Sequence, residues 1–183
     1  MNLTETRRSP ARTAILCVMM MLAAAVARPA IAADFDRFLG KFTGHASTET
    51  TERDLTVEIV TEKKGFRVNW SAVIQKEDGT ERDRSYSIWF VKTDRAGIYR
   101  SAVKQNAFGG YVPLDPMLGE PYSWARIEGD VMTVYALVVR DSGGYDMLAY
   151  ERRLTADGMH LSFSRVRDGE VLRGIEADLK RVR

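Results

Sequence analysis

His45 and His160 are the two histidines of a 183-residue chain, and they are the first side chains to weigh for metal or acid–base chemistry. A catalytic zinc takes three protein ligands, so either histidine would need carboxylates brought to it by the fold. Both sit in alternating segments among polar or outward positions, which predicts rim or surface locations. Glu49, Glu52 and Asp54 offer the oxygen ligands that calcium prefers. Arg53 interrupts them and no glycine opens a ligand loop, so they read as a solvated hairpin connection. Glu77, Asp78, Glu81 and Asp83 interleave with Lys76, Arg82 and Arg84, a mixed-sign pattern expected of a soluble turn. The chain contains no Gly-x-Ser-x-Gly elbow, no phosphate-cradling glycine loop and no His-Glu-x-x-His pair. No residue is therefore assigned a catalytic, metal-binding or cofactor-binding role.

Binding chemistry has better candidates. In the segment from Asp115 to Arg126, prolines 116 and 121 fix the backbone ahead of Tyr122, Trp124 and Arg126. One arrangement makes these three the mouth of a pocket, with the guanidinium gripping a carboxylate through two parallel hydrogen bonds. The other has Trp124 plugging a barrel end and Arg126 paired with a nearby Asp or Glu. Phe66, Trp70, Tyr86, Phe90 and Tyr135 are large residues expected to point inward and to line a cavity. The ligand-binding set is thus Trp70, Tyr86, Phe90, Tyr122, Trp124, Arg126 and Tyr135.

The elements that must position these residues are strands. Period-two alternation rich in β-branched and aromatic residues runs through Leu55-Val57-Ile59, Phe66 to Ile74, Tyr86-Ile88-Phe90, Val131 to Val139 and Met159-Leu161-Phe163. Turn pairs such as Lys64-Gly65, Asp78-Gly79, Gly129-Asp130, Asp157-Gly158 and Asp168-Gly169 separate the runs, each expected to supply a positive-φ residue. Ten strands follow, at about 40–50, 54–62, 66–76, 81–92, 97–104, 122–128, 131–140, 144–155, 158–167 and 170–182. Phe35 to Leu39 alone looks helical. So long a meander exposes two edges unless it closes, which predicts an all-β, antiparallel up-and-down barrel, with a β-sandwich as the alternative. Gln105 to Pro121 is the one long connection, either a proline-braced cap on a barrel end or a functional loop.

The charge is unevenly placed. Arg7, Arg8 and Arg12 precede an apolar run from Ala14 to Ala27 and a small-residue site ending at Ala32, the pattern of a secretory signal. Removing residues 1–32 takes away four arginines and Glu5, so the formal charge of +2 becomes 23 basic against 24 acidic residues, or −1. The single cysteine, Cys17, leaves with them. Residues 33–183 are expected to form one barrel domain in the periplasm or outside the cell. It would have no disulfide, no membrane-spanning segment and no basic surface for nucleic acid.

Three resemblances bear on function. Asp141-Ser142-Gly143-Gly144 resembles the nucleophile segment of chymotrypsin-like serine proteases, but without a histidine in the matching context it reads as a hairpin turn. Phe38-Leu39-Gly40-Lys41-Phe42, with Arg181 and Arg183 near the end of the chain, resembles the lipocalin and calycin superfamily. There a Gly-x-Trp opens strand one and an arginine of the last strand crosses its ring; here Phe42 replaces the tryptophan. Trp124 to Asp130 is similar to a Trp-Ala-Arg-Ile-x-Gly-Asp stretch in uncharacterised exported proteins of alphaproteobacteria, which implies a periplasmic address. The leading expectation is a noncatalytic barrel that binds a small apolar or amphipathic ligand. The second is an envelope interaction module with a filled barrel, docking through Phe108, Tyr111, Leu114 and Met117; the third is an enzyme of unknown reaction.

Overall fold

Strands form where the alternation places a β-branched or aromatic residue at every second position, and short turns return the chain before a helix could start. The computed structural model describes residues 35–48 and 51–183; the expected export signal at 1–32 and Glu49 lie outside the described residues. Among the described residues, twelve strands follow a 3-10 turn at Phe35–Phe38. They are β1 (Gly40–Thr48), β2 (Thr51–Glu62), β3 (Gly65–Lys76), β4 (Glu81–Lys92), β5 (Ile98–Ser101), β6 (Lys104–Gln105), β7 (Tyr111–Val112), β8 (Tyr122–Glu128), β9 (Val131–Val139), β10 (Tyr145–Leu154), β11 (Gly158–Arg167) and β12 (Glu170–Arg181). Ten of them close an antiparallel barrel in the order β1-β12-β11-β10-β9-β8-β5-β4-β3-β2, while β6 and β7 pair as a separate hairpin. The barrel, not the sandwich, is the solution to the edge problem. Phe42 opposite Arg181 and Gly44 opposite Leu179 seal the seam between the first and last strands.

Not every turn glycine is there for its φ. At the β2–β3 turn the positive angle belongs to Lys63 (φ 48°), and Gly65 is needed instead because a Cβ would stand 1.9 Å from the Phe90 carbonyl oxygen. Gly158 is in the same position, 1.9 Å from the oxygen of Leu179. At both sites the neighbouring strand passes too close for any side chain, so these glycines set interstrand spacing.

The two ends of the barrel differ. At the end where β1 begins, the 3-10 turn drives Phe38 into the interior, and Phe38, Phe42, Ile59, Phe66, Phe90, Met132 and Met159 are all wholly buried. Phe66 is the hub, with ring centroids 5.0 Å from Phe35, 5.4 Å from Phe90 and 5.0 Å from Tyr99. Arg181 lies over the Phe42 ring at 4.5 Å and donates from Nη1 to the Leu39 carbonyl at 2.5 Å. The stacking cation expected from the last strand is thus Arg181, and it ties the plug to the seam. Arg37 adds an ion pair to Asp130 at 2.5 Å.

The long connection has structure of its own. Asp115 accepts from the Met117 amide at 2.9 Å, and Pro116–Leu118 form a 3-10 turn closed by Gly119 at φ 75°. Tyr111 packs edge-on against Trp89 at 4.8 Å, and the Lys63 ammonium sits 4.8 Å from both rings. Trp89 alternates with the buried Phe90, so this anchor lies on the outside of the wall. Replacing strand with excursion leaves a consequence for the interior. Because β5 has four residues, residues 81–88 of β4 pair with β3 alone. One side of the barrel is therefore low.

Candidate ligand-binding cavity

Above the aromatic core the interior empties. Trp70 of β3 stacks on Tyr86 of β4 at 5.2 Å, crosses the barrel to Tyr150 of β10 at 5.4 Å, and Tyr150 meets Phe163 of β11 at 4.7 Å. These four rings form a floor between opposite walls. Over them lies a cavity of about 930 Å³, reaching solvent at the end where β1 finishes and bordered by the low edge of β4. Its walls are apolar at Leu55, Ala72, Ile74, Val138, Leu148 and Ile175.

Cations punctuate this apolar surface. Arg53, Lys76, Arg82, Arg84, Arg152 and Arg165 line the cavity, and Asp146 is the one carboxylate among the lining residues. Each arises from simple alternation: Arg82 and Arg84 share a face with Tyr86, Ile88 and Phe90, while Arg152 shares one with Tyr150 and Leu154. The mixed-sign turn is solvated as expected, with Lys76 to Arg84 all exposed. Strand pleating separates the signs, turning Lys76, Arg82 and Arg84 to the cavity and leaving Glu81 and Asp83 out of its lining.

Asp146 is already engaged. It accepts from Arg167 Nε at 2.9 Å and from Arg165 Nη2 at 2.5 Å. These two hydrogen bonds, Arg167's the stronger influence, hold its carboxyl at about 2, below the ordinary 3.8. A carboxyl whose pKa falls on folding stabilises the fold above its unfolded value, and that stabilisation disappears as pH drops through the folded value. Asp146→Asn is therefore expected to lower the melting temperature at neutral pH. The gap from wild type should close as pH falls from about 4 towards about 2, which a thermal-melt series across pH would show.

Arg152 is engaged far less. It is wholly buried, just below the aromatic floor, with its guanidinium carbon 5.7 Å from the Trp70 ring centroid and 6.0 Å from that of Tyr150. Nη1 donates to the Tyr150 carbonyl at 3.2 Å, whereas Nε and Nη2 have no hydrogen-bond partner among the described residues. Loss of hydration lowers its pKa to about 10, which still leaves it cationic at neutral pH.

The structure divides the expected site residues. Trp70 and Tyr86 line the cavity. Phe90 points inward but is fully buried in the closed-end core, below the open space. Tyr122, Trp124, Arg126 and Tyr135 are corrected to the outer face, because Ser123, Ala125, Val134 and Ala136 occupy the inward positions of β8 and β9. Trp124 stacks on Tyr135 there, at 5.0 Å and 19°, and does not plug the barrel; Phe38 does. Arg126 pairs with Glu128 two residues along its own strand. The residues missed, Arg53, Arg82, Arg84, Arg152 and Arg165, had a readable signal: charges recurring at the apolar parity of a strand.

The remaining candidates are dispersed. His45 pairs with Asp54 at 3.0 Å and His160 with Asp178 at 2.8 Å, both in exposed positions. No group of three or more His, Cys, Asp or Glu gathers as a metal would require among the described residues. Arg140 to Gly144 is a hairpin turn, with the Arg140 amide bonded to the Gly144 carbonyl at 2.8 Å and Gly143 at φ 81°. Among the described residues no helix is long and apolar enough to cross a membrane.

Fold and cavity together define a closed ten-stranded antiparallel barrel, plugged at one end and hollow at the other. No protein-family model matches the chain, and no curated protein matches it. A crystal structure of an N-terminal dehydratase from the difficidin assembly line aligns with 95% of this chain and 85% of that one at 10% identity, with a TM-score of 0.21. At that score it carries no structural or functional argument.

Proposed function

We propose that this is an exported, noncatalytic binding protein that holds a small amphipathic ligand inside the open half of its barrel. The observation that carries the reading is the cavity itself. Its volume, about 930 Å³, suits a ligand of drug or lipid-fragment size, and its surface combines an aromatic floor, aliphatic walls and a few charged groups. A barrel meant only as a scaffold would fill this space with side chains, as the other end does. The test is occupancy. A neutral naphthylamine fluorophore should bind one to one with a blue-shifted emission. Ala72→Trp together with Leu148→Trp, both on the cavity wall, should reduce its affinity at least roughly 10-fold by filling the space. Undiminished binding to the filled variant would place the probe elsewhere and remove the reading.

A second reading rests on the excursion between β5 and β8. Phe108 is 97% exposed, Met117 78% and Leu118 71%, a concentration of apolar surface that a protein partner would cover. If deletion of residues 107–119 left the co-purifying envelope proteins unchanged, that role would be lost.

A further inference from the structure

We infer that the ligand is an organic monoanion, a carboxylate on an apolar body, and that its charged head is seated on Arg152; this deepens the cavity reading above and rests on it. Three observations converge.

The first is the charge of the lining: six cations face the cavity against one carboxylate, and that carboxylate is held by Arg165 and Arg167. A cavity with low-dielectric walls and cations of one sign concentrates anions and excludes cations.

The second is the state of Arg152. A guanidinium buried in an apolar interior ordinarily has its donors matched, since each unmatched donor keeps the full cost of its lost hydration. Here Nη1 is satisfied by the Tyr150 carbonyl, while Nε and Nη2 are not. Those two nitrogens are the pair that presents parallel N–H bonds along one side of the guanidinium. That side matches the two oxygens of a carboxylate in bidentate fashion. The unmatched atoms are thus the two that a carboxylate would satisfy together.

The third is the surrounding surface. Trp70 and Tyr150 lie over the guanidinium and also line the cavity, so an apolar body attached to the head would rest on the rings that cover the cation. Seating the head on Arg152 requires one of these rings to rotate aside. Arg82 and Arg84, nearer solvent on the low edge of β4, would draw the anion inward without holding it.

A matched series of twelve-carbon probes with the full chain tests this: dodecanoate, dodecanol and dodecylammonium, measured by isothermal titration calorimetry. Dodecanoate should bind roughly 10- to 100-fold more tightly than dodecanol, the range expected of a buried charge-assisted bidentate contact, and dodecylammonium more weakly than both. In Arg152→Met the acid should lose its advantage while the alcohol still binds. In Arg82→Ala with Arg84→Ala the acid should keep its advantage but associate more slowly and with a smaller dependence on salt.

Equal affinity of acid and alcohol for wild type would overturn the anion inference and leave an apolar binding cavity standing. Binding of none of the three would remove the cavity reading as well. Retention of the full acid preference in a folded Arg152→Met protein would overturn Arg152 as the seat. The wild-type series decides the anion inference even if that variant fails to fold.

Discussion

Arg152→Met is expected to give a protein that is more stable than wild type by about 1–3 kcal/mol in the absence of ligand. Removing charge from a folded interior is favourable when the charge has too few partners. Arg152 is wholly buried, has one hydrogen bond through Nη1 and shows its dehydration in a pKa lowered to about 10. A cation whose pKa falls on folding imposes its penalty at every pH below the folded value, so the whole cost is present at pH 7. Each unit of such a shift corresponds to about 1.4 kcal/mol, and the Trp70 and Tyr150 rings return part of it. Methionine fills similar space without a charge and adapts to irregular surroundings. The melting temperature should rise by about 2–12 °C for a domain of this size. Dodecanoate should then raise the melting temperature of wild type more than that of the variant, where the rise should fall to that given by dodecanol, because a ligand stabilises only through its preference for the folded form. Loss of stability in Arg152→Met would mean that the guanidinium contributes to the resting fold.

Phe66→Ala is expected to have the opposite sign and a larger size, a loss of about 3–5 kcal/mol. Phe66 is fully buried and touches Phe35, Phe90 and Tyr99, so truncation removes ring contacts to the plug, to β4 and to β5 at once. Closure at this end leaves little freedom to collapse around the void, since β3 is held by β2 on one side and β4 on the other. A domain of about 150 residues has a total stability of roughly 7–22 kcal/mol, so the variant should fold but melt markedly earlier. Urea denaturation would read the difference. Phe66 does not line the cavity, so the same variant should keep the wild-type order of affinities for acid, alcohol and amine. Loss of that order would show that the plugged end and the hollow end are energetically one unit.

The two variants separate the halves of the barrel that the strands have in common. Every barrel strand contributes through alternation, but the side chains at its inward positions change along its length. On β3, Phe66 and Val68 belong to the packed end, and Trp70, Ala72 and Ile74 to the hollow one. On β10, Arg152 lies below the floor, Tyr150 is part of it, and Leu148 and Asp146 lie above it. The transition from solid to hollow is therefore made within single strands, where aromatic rings from opposite walls meet.

Much of this was readable in advance. Alternation with turn residues at short intervals was enough for ten strands within a few residues of their ends, and for closure into a barrel, because both follow from local geometry and from the cost of an open edge. The partner of the Phe42 ring was readable too, as an arginine near the chain's end. Local pattern does not say which of a strand's two faces is inside. Tyr122, Trp124 and Tyr135 are large and aromatic and were expected inside, yet β8 and β9 turn Ser123, Ala125, Val134 and Ala136 inward. Arg82 and Arg84 looked like solvated charges and Arg152 drew no attention, yet the parity of Tyr86 turns the exposed Arg82 and Arg84 towards the cavity and that of Tyr150 carries Arg152 into the interior.

Alternation and turn chemistry, both properties of neighbouring residues, determined that this chain makes an antiparallel barrel with apolar residues on one face of each strand. Tertiary structure alone decided where the barrel is filled. The shortness of β5, the meeting of Trp70 with Tyr150 across the interior and the burial of Arg152 beneath them each join residues distant in sequence, and such pairings exist only once the sheet has closed.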